Sequence, residues 1–539
     1  MKKILGAVIG SDVHVAGLLN FLNLAEGEGF ETMYLGGRVS IRELVSGILK
    51  HDPDIVAISY RLGTGPLKKL LDELIEEIEK HKIKDKEFIF GGTMETAGIA
   101  RKYPIFSRIF DGSEGSEGVV AYLKGFKELK GKEIPPQTLP ERVEYMKPHP
   151  LIRHHIGLPS LIDTVKEIEK LADSGLLDII SIAPDQNCQQ FFFEPEKMDP
   201  RQDGAGGAPI RSIEDFKKLY EASRRGNYPL VRCYAGTKHL VSFSRILKET
   251  LNNAWAAIPI FWYSELDRRS DRPLLEAIKE NLEAIRWNAE NGVPVEINDA
   301  HQWELRYAHD SLAVAVTYIA AYVAKHLGVK HYVQQYMIDN PPGMSPKMDM
   351  AKLLAKKELV ESLEDNNFKV YRMIRTGLLS FPANPNAAKG QLAATMFYAS
   401  SIKPHIIHVA AYCEALYRAT SKEIIESVKI VKRACALARR GMPDPTEDPE
   451  IMTRVKILKE EALEIVEAIK ALGYSNEPLL DPETLYKAVE IGILDAPALR
   501  SMSVAKGLVN TRIVEGTCVV VDEMGKIMKE KERLEGLKW

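Results

Sequence analysis

The segment Ile4–Gly17 reads ILGAVIGSDVHVAG, an apolar run followed at once by the hexapeptide Asp12–Gly17. The apolar run predicts a buried strand, and the hexapeptide predicts a loop at its carboxyl end. In that loop His14 can present an imidazole to a metal ion, while Asp12 holds the other ring nitrogen. Gly17 leaves room for a bulky group near the backbone. Because six residues also fit an ordinary strand-to-loop turn, the interpretation depends on companion segments.

Four more short apolar segments follow in the first 125 residues, separated by amphipathic stretches such as Leu67–Lys80. The five predicted strands are Ile4–Ile9, Glu31–Leu35, Val56–Ser59, Phe88–Phe90 and Arg108–Phe110. This alternation predicts a doubly wound parallel α/β sheet, in which ligands bind outside the carboxyl ends of the strands. Polar and small residues fall at two further strand ends, in the segments Ser59–Gly65 and Gly91–Thr93.

Together these three segments resemble the cobalamin-binding domain of base-off, histidine-on B12 enzymes, which has a flavodoxin-like (Rossmann-like) fold. The resemblance implies that His14 replaces dimethylbenzimidazole as the lower cobalt ligand, and that Ser59 and the glycines leave a slot for the displaced nucleotide tail. The family's Ser-x-Leu pattern is altered, since Arg61 stands two residues after Ser59 and Leu62 follows it. The implied cofactor-binding residues in this domain are Asp12, His14, Gly17, Ser59, Leu62, Gly63, Gly91 and Gly92.

Composition agrees with a cytoplasmic enzyme. The 539 residues are 45% hydrophobic and 27% charged, which suffices for two or three domains. A formal net charge of −3 gives no reason to expect nucleic acid or an anionic membrane as partner, and no apolar run reaches transmembrane length. The five cysteines lack C-x-x-C spacing, which argues against a disulfide framework, a cysteine zinc site and the iron–sulfur cluster of a radical-SAM enzyme.

The rest of the chain has a second repeating pattern. After a proline-rich interval, strand-like runs alternate with helical ones eight times, at Leu151–Ile156, Leu177–Ala183, Leu230–Ala235, Ile258–Tyr263, Val293–Asp299, His331–Ile338, Lys369–Thr376 and His405–Tyr412. Eight βα units predict a (β/α)8 TIM barrel. The predicted domains are a cobalamin-binding domain at 1–125, a linker at 126–150, a barrel at 151–445 and a helical and mixed C-terminal extension at 446–539.

From about residue 151 onward the chain resembles the large catalytic subunit of glutamate mutase (methylaspartate mutase). The matching segments, in order, are His155–Leu158, Gly236-Thr237, Ser380–Pro382, Glu414-Ala415 and Thr420–Glu423 with Arg440–Pro443. The resemblance implies an isomerase, an adenosylcobalamin-dependent radical carbon-skeleton mutase with both parts fused in one chain. Glu414 matches the position that binds the adenosyl ribose, whereas the accompanying family lysine is Ala410 here.

The substrate positions differ from the family pattern. Three family arginines that hold a dicarboxylic substrate align with His155, Gln189 and Tyr234, so the expected substrate is neither glutamate nor methylaspartate. We expect a small acid or acyl thioester with one carboxylate and a less polar remainder, held by the arginines that remain: Arg153, Arg232 and Arg375. The predicted substrate-binding residues are His155, Gln189, Tyr234 and Arg232. The predicted catalytic residues are Glu265, Tyr263 and Arg375.

Other conspicuous residues fit structural roles better than catalytic ones. Phe191–Phe193 predicts packing at the barrel rim rather than a substrate clamp. Gly204–Gly207 ahead of Ser212 fits a loop and a helix cap better than a phosphate cradle. Asp299, His301 and Glu304 fit a hydrogen-bond network, so cobalt is the only metal predicted.

Two other functions compete with a mutase. A corrinoid-dependent methyltransferase generally carries a helical bundle ahead of its B12 domain, and we expect none here because the first strand begins at Ile4. A module that senses or stores B12 has no need of a large barrel with polar strand ends. As related mutases do, the chain is expected to form a homodimer or larger homo-oligomer.

Overall fold

Parallel strands form the frame of two units, Met1–Glu133 and Ile134–Trp539, in the computed structural model of the protein. The structure describes residues 2–113, 118–120, 122–123, 134–473, 475–502 and 504–537. Both units are α/β, as the sequence predicts.

The first unit is a five-stranded parallel sheet with helices between its strands. Its strands are β1 (Lys3–Ile9), β2 (Glu31–Val39), β3 (Ile55–Tyr60), β4 (Glu87–Gly92) and β5 (Phe106–Phe110), and its helices include α1 (Ala16–Gly27), α2 (Ile41–His51), α3 (Thr64–Lys80) and α4 (Met94–Ala100). The strand order is β2-β1-β3-β4-β5. The order reverses between β1 and β3, and in such sheets the crevice at that reversal is where ligands bind.

The second unit is built on eight parallel strands. They are β6 (Leu151–Ile156), β7 (Ile179–Ile182), β8 (Leu230–Cys233), β9 (Ala256–Ala257), β10 (Val295–Glu296), β11 (His331–Ile338), β12 (Lys369–Thr376) and β13 (Ile406–His408). Their order, β8-β7-β6-β13-β12-β11-β10-β9, brings the edges of β8 and β9 together. The N–H of Ala254 donates to the carbonyl of Val231 (2.9 Å) across that seam. The predicted TIM barrel is therefore confirmed as a nearly closed barrel.

Helices cover the barrel and follow its strands. They are α5 (Leu139–Met146), α6 (Leu161–Ser174), α7 (Gln186–Phe191), α8 (Ile213–Ala222), α9 (Leu240–Leu251), α10 (Leu274–Glu290), α11 (Asp299–Glu304), α12 (Asp310–His326), α13 (Pro346–Glu361), α14 (Pro385–Ala399) and α15 (Ser421–Arg439). Ser212 caps α8 by accepting the N–H of Asp215, as its sequence context predicts. The adjacent Phe192 packs edge-on against Phe243 (5.6 Å between centroids), in keeping with rim packing.

The fourth barrel strand differs from its predicted position. The sequence predicts Ile258–Tyr263, but the strand is Ala256–Ala257 and the chain then leaves the sheet. Pro259 has no N–H to give to a strand ladder. The N–H groups of Ile260 and Phe261 donate instead to the buried carboxylate of Asp299. This side chain supplies the hydrogen-bond acceptors that the backbone of a neighbouring strand would otherwise provide.

A helix lies in the interval predicted as a linker. Helix α5 buries Leu139 and Val143 against inward-facing residues of the barrel strands, among them Leu151. Arg142, also buried, donates to the carbonyls of Pro136 (2.8 Å) and Tyr228 (2.9 Å). This helix therefore closes the amino-terminal end of the barrel.

The barrel interior changes from apolar to charged along its axis. Because side chains alternate along a strand, each inward apolar residue at the closed end is followed two positions later by another inward residue. The apolar set at the closed end includes Leu151, Ile179, Leu230, Val333, Met373 and Ile406. The residues two positions on are Arg153, Ser181, Arg232, Gln335, Arg375 and His408. The alternation thus sets a polar interior at the carboxyl ends, where TIM-barrel enzymes have their active sites.

The C-terminal extension packs on the outside of the barrel. It consists of α16 (Pro449–Lys470), α17 (Pro482–Glu490), the antiparallel hairpin β14 (Thr511–Val514) and β15 (Thr517–Val520), and α18 (Glu530–Glu535). The backbone N–H of Cys518 donates to Asp310, which also lies 3.5 Å from the buried ammonium of Lys352. Among the described helices, none is both long and apolar enough to cross a bilayer.

Candidate functional site

The loop after β1 holds His14 in one orientation. Its ring Nδ1 lies 2.7 Å from Oδ1 of Asp12, and its backbone N–H donates to the same oxygen (2.9 Å). The other oxygen of Asp12 accepts the N–H of Arg61 (2.5 Å), at the end of the neighbouring strand β3. Burial alone raises the pKa of Asp12, but these hydrogen bonds lower it below its usual range. The carboxylate is therefore fixed and ionised beneath the ring.

The geometry leaves one nitrogen of His14 available. Asp12 is fully buried, whereas the side chain of His14 is 54% exposed. Since Nδ1 faces the carboxylate, Nε2 is the ring nitrogen that a metal ion can reach. A carboxylate behind a histidine is the usual support of a metal-ligating imidazole, because it fixes the tautomer and raises basicity.

Two glycines beside this loop border open space. A Cβ atom added at Gly17 or Gly91 meets nothing within 4 Å, whereas one at Gly92 falls 2.3 Å from Oγ1 of Thr96. Gly91 follows the buried segment of β4, next to Ser59 at the end of β3. Gly17 and Gly91 therefore fit a cradle for a large planar group and its tail, while Gly92 serves close packing.

Filling this space is expected to weaken cobalamin binding without unfolding the domain. Gly91→Val adds a branched side chain on a strand, where such residues are favoured, and places it where the tail slot is predicted. We expect the dissociation constant for cobalamin, measured by absorbance titration, to rise at least ~10-fold, an energy of about 1.4 kcal/mol. Gly98→Val is the matched control, since a Cβ at Gly98 in α4 also meets nothing within 4 Å. Equal binding by both variants would refute a tail slot at Gly91.

A cavity of about 390 Å³ opens at the carboxyl ends of the barrel strands. Its lining includes four arginines, Arg153, Arg232, Arg269 and Arg375, but only two carboxylates, Glu296 and Glu414. Three histidines also line it, and burial is the main cause that lowers the pKa of each, His155 to about 3 and both His301 and His408 well below their usual range. With these histidines neutral at pH 7, the cavity carries a net positive charge.

Arg232 has no hydrogen-bond partner in this cavity. All three guanidinium nitrogens are buried and unpartnered among the described residues. Its guanidinium lies over the rings of Tyr234 (4.8 Å to the centroid) and Trp255 (5.2 Å). Arg153, by contrast, donates to Oγ of Ser181 (2.7 Å), and burial together with Arg232 lowers its pKa to about 9.

Unpartnered buried polar atoms gather in the same cavity. The lining residues that carry one are Arg232, Arg375, Gln335, Asn298, His301 and His408. Buried polar groups in native proteins are nearly always hydrogen-bonded, so such a concentration marks a place for a polar ligand.

Glu414 faces two histidines at the rim of the cavity. Its carboxylate lies 2.9 Å from Nε2 of His154 and 3.5 Å from Nε2 of His155, and it accepts the N–H of Ala411 (2.8 Å). Burial alone raises its pKa, but the adjacent imidazoles lower it to about 2. The carboxylate is ionised at neutral pH and is held by its own chain.

Most predicted barrel residues lie together. His155, Gln189, Tyr234, Arg232, Tyr263, Arg375 and Glu414 all line the cavity. Tyr263 has a positive φ of 61°, which costs energy for a non-glycine residue and is frequent at functional sites.

Glu265, predicted as catalytic, does not line this cavity. Its Oε1 accepts the N–H of Leu274 (2.8 Å), the first residue of α10. The prediction took Glu265 from the segment Pro259–Glu265, which resembles the region of the family's catalytic glutamate and tyrosines. In the structure the chain leaves the sheet after β9 and Glu265 turns toward a helix terminus. Its place outside the cavity does not support the predicted catalytic role.

The sequence did not single out His154, His408, Glu296 or Gln335. Three of them are inward residues that line the cavity: His408, Gln335 and Glu296. His408 and Gln335 each come two positions after an apolar inward residue, and Glu296 ends β10. The alternation of side chains along a strand is therefore the sequence signal that predicts them. His154 faces outward by the same alternation, so only the folded structure brings it to Glu414.

Comparison with known proteins agrees with this two-part organisation. Residues 2–107 match the family model of the B12 binding domain, and residues 274–535 match that of the methylaspartate mutase E chain. No curated protein matches the chain significantly. A solved structure of a novel cobalamin-binding protein from Desulfitobacterium hafniense DCB-2 is 23% identical, with a TM-score of 0.20; the match covers 23% of this chain and 58% of that one.

The matched segments correspond to the two units described above. The first contains the loop with Asp12 and His14 together with strands β1–β4, and the second contains β10–β13 with the C-terminal extension. The chain joins an N-terminal segment that matches the B12 binding domain to a barrel whose second half and C-terminal extension are similar to the methylaspartate mutase E chain.

Proposed function

We propose that this protein is an adenosylcobalamin-dependent radical mutase that rearranges the carbon skeleton of a small carboxylic acid or its acyl thioester. The observation that carries the substrate assignment is Arg232, a buried guanidinium with no hydrogen-bond partner among the described residues. An uncompensated buried cation is costly, so a protein retains one where an anion arrives to pair with it. A substrate carboxylate supplies that anion.

The surrounding charges favour an anionic substrate over a neutral or cationic one. Arg375 also has an Nε atom without a partner among the described residues. The pKa of Arg153 is lowered by burial and by the positive charge of nearby Arg232. Guanidinium groups bind carboxylates in a bidentate, planar way that fixes orientation as well as position. Arg232 and Arg375 would hold the carboxylate, and Tyr234 and Tyr263 would pack on the less polar remainder.

His14 would hold the cobalt of the bound cofactor, and Asp12 would keep its ring in place. When bound, adenosylcobalamin supplies an organic radical through homolysis of its weak cobalt–carbon bond. The barrel residues then have positioning tasks: they orient the substrate and keep water away from it. The neutral rings of His301 and His408 add hydrogen-bond donors and acceptors without adding charge.

Anaerobic electron paramagnetic resonance tests the proposal. The full-length protein is reconstituted with adenosylcobalamin, mixed with pooled small carboxylic acids and acyl thioesters, and frozen. We expect a cob(II)alamin signal coupled to an organic radical, and splitting the pool then identifies the substrate. Transfer of the methyl group of methylcobalamin to a thiol or amine, without a radical signal from any pool, would overturn the mutase and favour a methyltransferase.

The cysteines support a cytoplasmic location for this enzyme. All five are free thiols buried in the structure, with no disulfide among them. Reduced cysteines are typical of proteins that work in the reducing environment of the cytosol.

A further inference from the structure

His154, His155 and Glu414 form a compact group at the barrel rim. The two histidines end β6, and Glu414 follows β13, the strand that pairs with β6. One potential ligand atom from each residue lies within 4.8 Å of the other two. His154 is 2% exposed, and the side chain of Glu414 is 10% exposed.

The second nitrogen of each histidine is already engaged. Nδ1 of His154 donates to the carbonyl of His155 (2.5 Å), and Nδ1 of His155 lies 3.4 Å from Nε2 of His408. Both Nε2 atoms are therefore directed toward Glu414, whose own Oε1 is fixed by the N–H of Ala411. Outer hydrogen bonds that set tautomer and orientation in this way are the usual support of metal-ligating histidines and carboxylates.

The contact between His154 and Glu414 is short but poorly aligned for a hydrogen bond. Nε2 is buried and lies 2.9 Å from Oε1, yet it has no partner that meets the geometry of a well-formed hydrogen bond. When the ring is neutral, Nδ1 carries the proton that it donates to His155, and the lone pair of Nε2 is available to an ion. An ion bound by both atoms lies on that lone-pair direction, to one side of the line that joins nitrogen and oxygen.

The distances also suit coordination. For zinc–nitrogen bonds near 2.0–2.1 Å and zinc–oxygen bonds near 2.0–2.2 Å, two tetrahedral ligands lie about 3.4 Å apart. The two Nε2-to-carboxylate distances are 2.9 and 3.5 Å. Two imidazoles and one carboxylate are the ligand set of catalytic zinc sites, which keep a further position open.

We propose that His154, His155 and Glu414 bind a divalent transition-metal ion of the zinc class, with its open position toward the barrel cavity. This goes beyond the single metal that the sequence predicts, because only the folded structure brings His154 to Glu414. It also gives Glu414 a role other than the adenosyl-ribose contact that the family resemblance implies. The ion and the cobalt have separate ligands, since cobalt is assigned to His14 in the other unit.

Zinc titration of the full-length, cobalamin-free protein tests the site. The protein is stripped with a chelator and titrated with Zn²⁺ against a chromophoric chelator, with excess Mg²⁺ present. We expect one equivalent to bind tightly despite the Mg²⁺, because imidazole ligands favour zinc over hard cations. Loss of a residue that only hydrogen-bonds to a metal ligand weakens metal binding by about 10–100-fold. Glu414→Gln and His155→Asn remove a ligand itself, so each is expected to weaken zinc binding by at least that much.

Matched controls make the same changes elsewhere in the cavity. Glu296→Gln and His301→Asn alter a lining carboxylate and a lining histidine outside the group, and both should keep wild-type zinc affinity. Circular dichroism checks folding, and His155→Asn carries the test if Glu414→Gln misfolds. Absence of a saturable zinc site in the wild type, or wild-type affinity in both Glu414→Gln and His155→Asn, would overturn the proposal. Cobalamin is then added to each variant, and its absorbance reports the His14 site separately.

Discussion

Replacing His14 with alanine is expected to abolish tight cobalamin binding. The change removes the nitrogen that Asp12 orients and that is otherwise directed away from the loop. Loss of a residue that hydrogen-bonds to a metal ligand lowers metal affinity by about 10–100-fold, so loss of the ligand itself should lower it further. Absorbance titration of the full-length protein with cobalamin measures the change, and turnover should disappear with it.

Two further variants separate ligation from general damage. Asp12→Asn keeps a hydrogen-bond acceptor but loses the charge behind the ring, so an intermediate loss of about 10–100-fold is expected. His51→Ala removes a histidine at the end of α2, away from the loop, and should bind cobalamin as the wild type does. If His14→Ala bound cobalamin as tightly as His51→Ala, His14 would not be the lower ligand.

Replacing Arg232 with methionine is expected to weaken substrate binding and yet to stabilise the protein or leave its stability unchanged. Methionine preserves most of the volume and removes a buried charge that has no partner in the cavity. Apolar replacement of buried charges is often neutral or stabilising by about 1–4 kcal/mol. A hydrogen bond from a charged group contributes about 1.5–3 kcal/mol, so a carboxylate ligand should bind roughly 10–100-fold more weakly. Thermal unfolding, with and without succinate as a carboxylate probe, measures both effects.

Arg142 provides the matched comparison. It is as buried as Arg232, at 1% exposure, but it donates to two backbone carbonyls. Arg142→Met leaves those acceptors unpaired at about 1–3 kcal/mol each and should lower the unfolding temperature. The succinate-induced shift should survive in this variant. A marked loss of stability in Arg232→Met, with an unchanged succinate shift, would mean that Arg232 serves structure and not substrate.

Much of the fold could be predicted from the sequence because strand signals here are strong. Strands β6, β11 and β12 begin and end at the predicted residues, since long β-branched and aromatic runs bounded by turns leave little choice. The fourth barrel strand could not be predicted, because a strand of two residues is too short to show an alternating pattern of side chains. Its apparent continuation contains Pro259 and depends on the distant Asp299 for hydrogen bonds.

The candidate site was predictable in the first unit and only partly in the second. Asp12 and His14 are adjacent in sequence, so their contact is local and readable from the chain. In the barrel, by contrast, Arg153, Arg232 and Arg375 come from three strands. Arg232 has no hydrogen-bond partner among the described residues, and this depends on the side chains of every neighbouring strand. Glu265, which the family resemblance implies is catalytic, lies outside the cavity because the chain leaves the sheet after β9 and its carboxylate turns to a helix terminus.

The most direct test of a histidine-ligated cobalamin in this protein is the electron paramagnetic resonance spectrum of its cob(II)alamin form. The full-length chain is produced with histidine labelled by nitrogen-15 and compared with unlabelled protein. The unpaired electron couples to the axial nitrogen, so ligation by His14 predicts that the triplet splitting of the unlabelled sample becomes a doublet. A triplet that persists in the labelled protein would show that the axial nitrogen is not from histidine, and the assignment of His14 would be wrong.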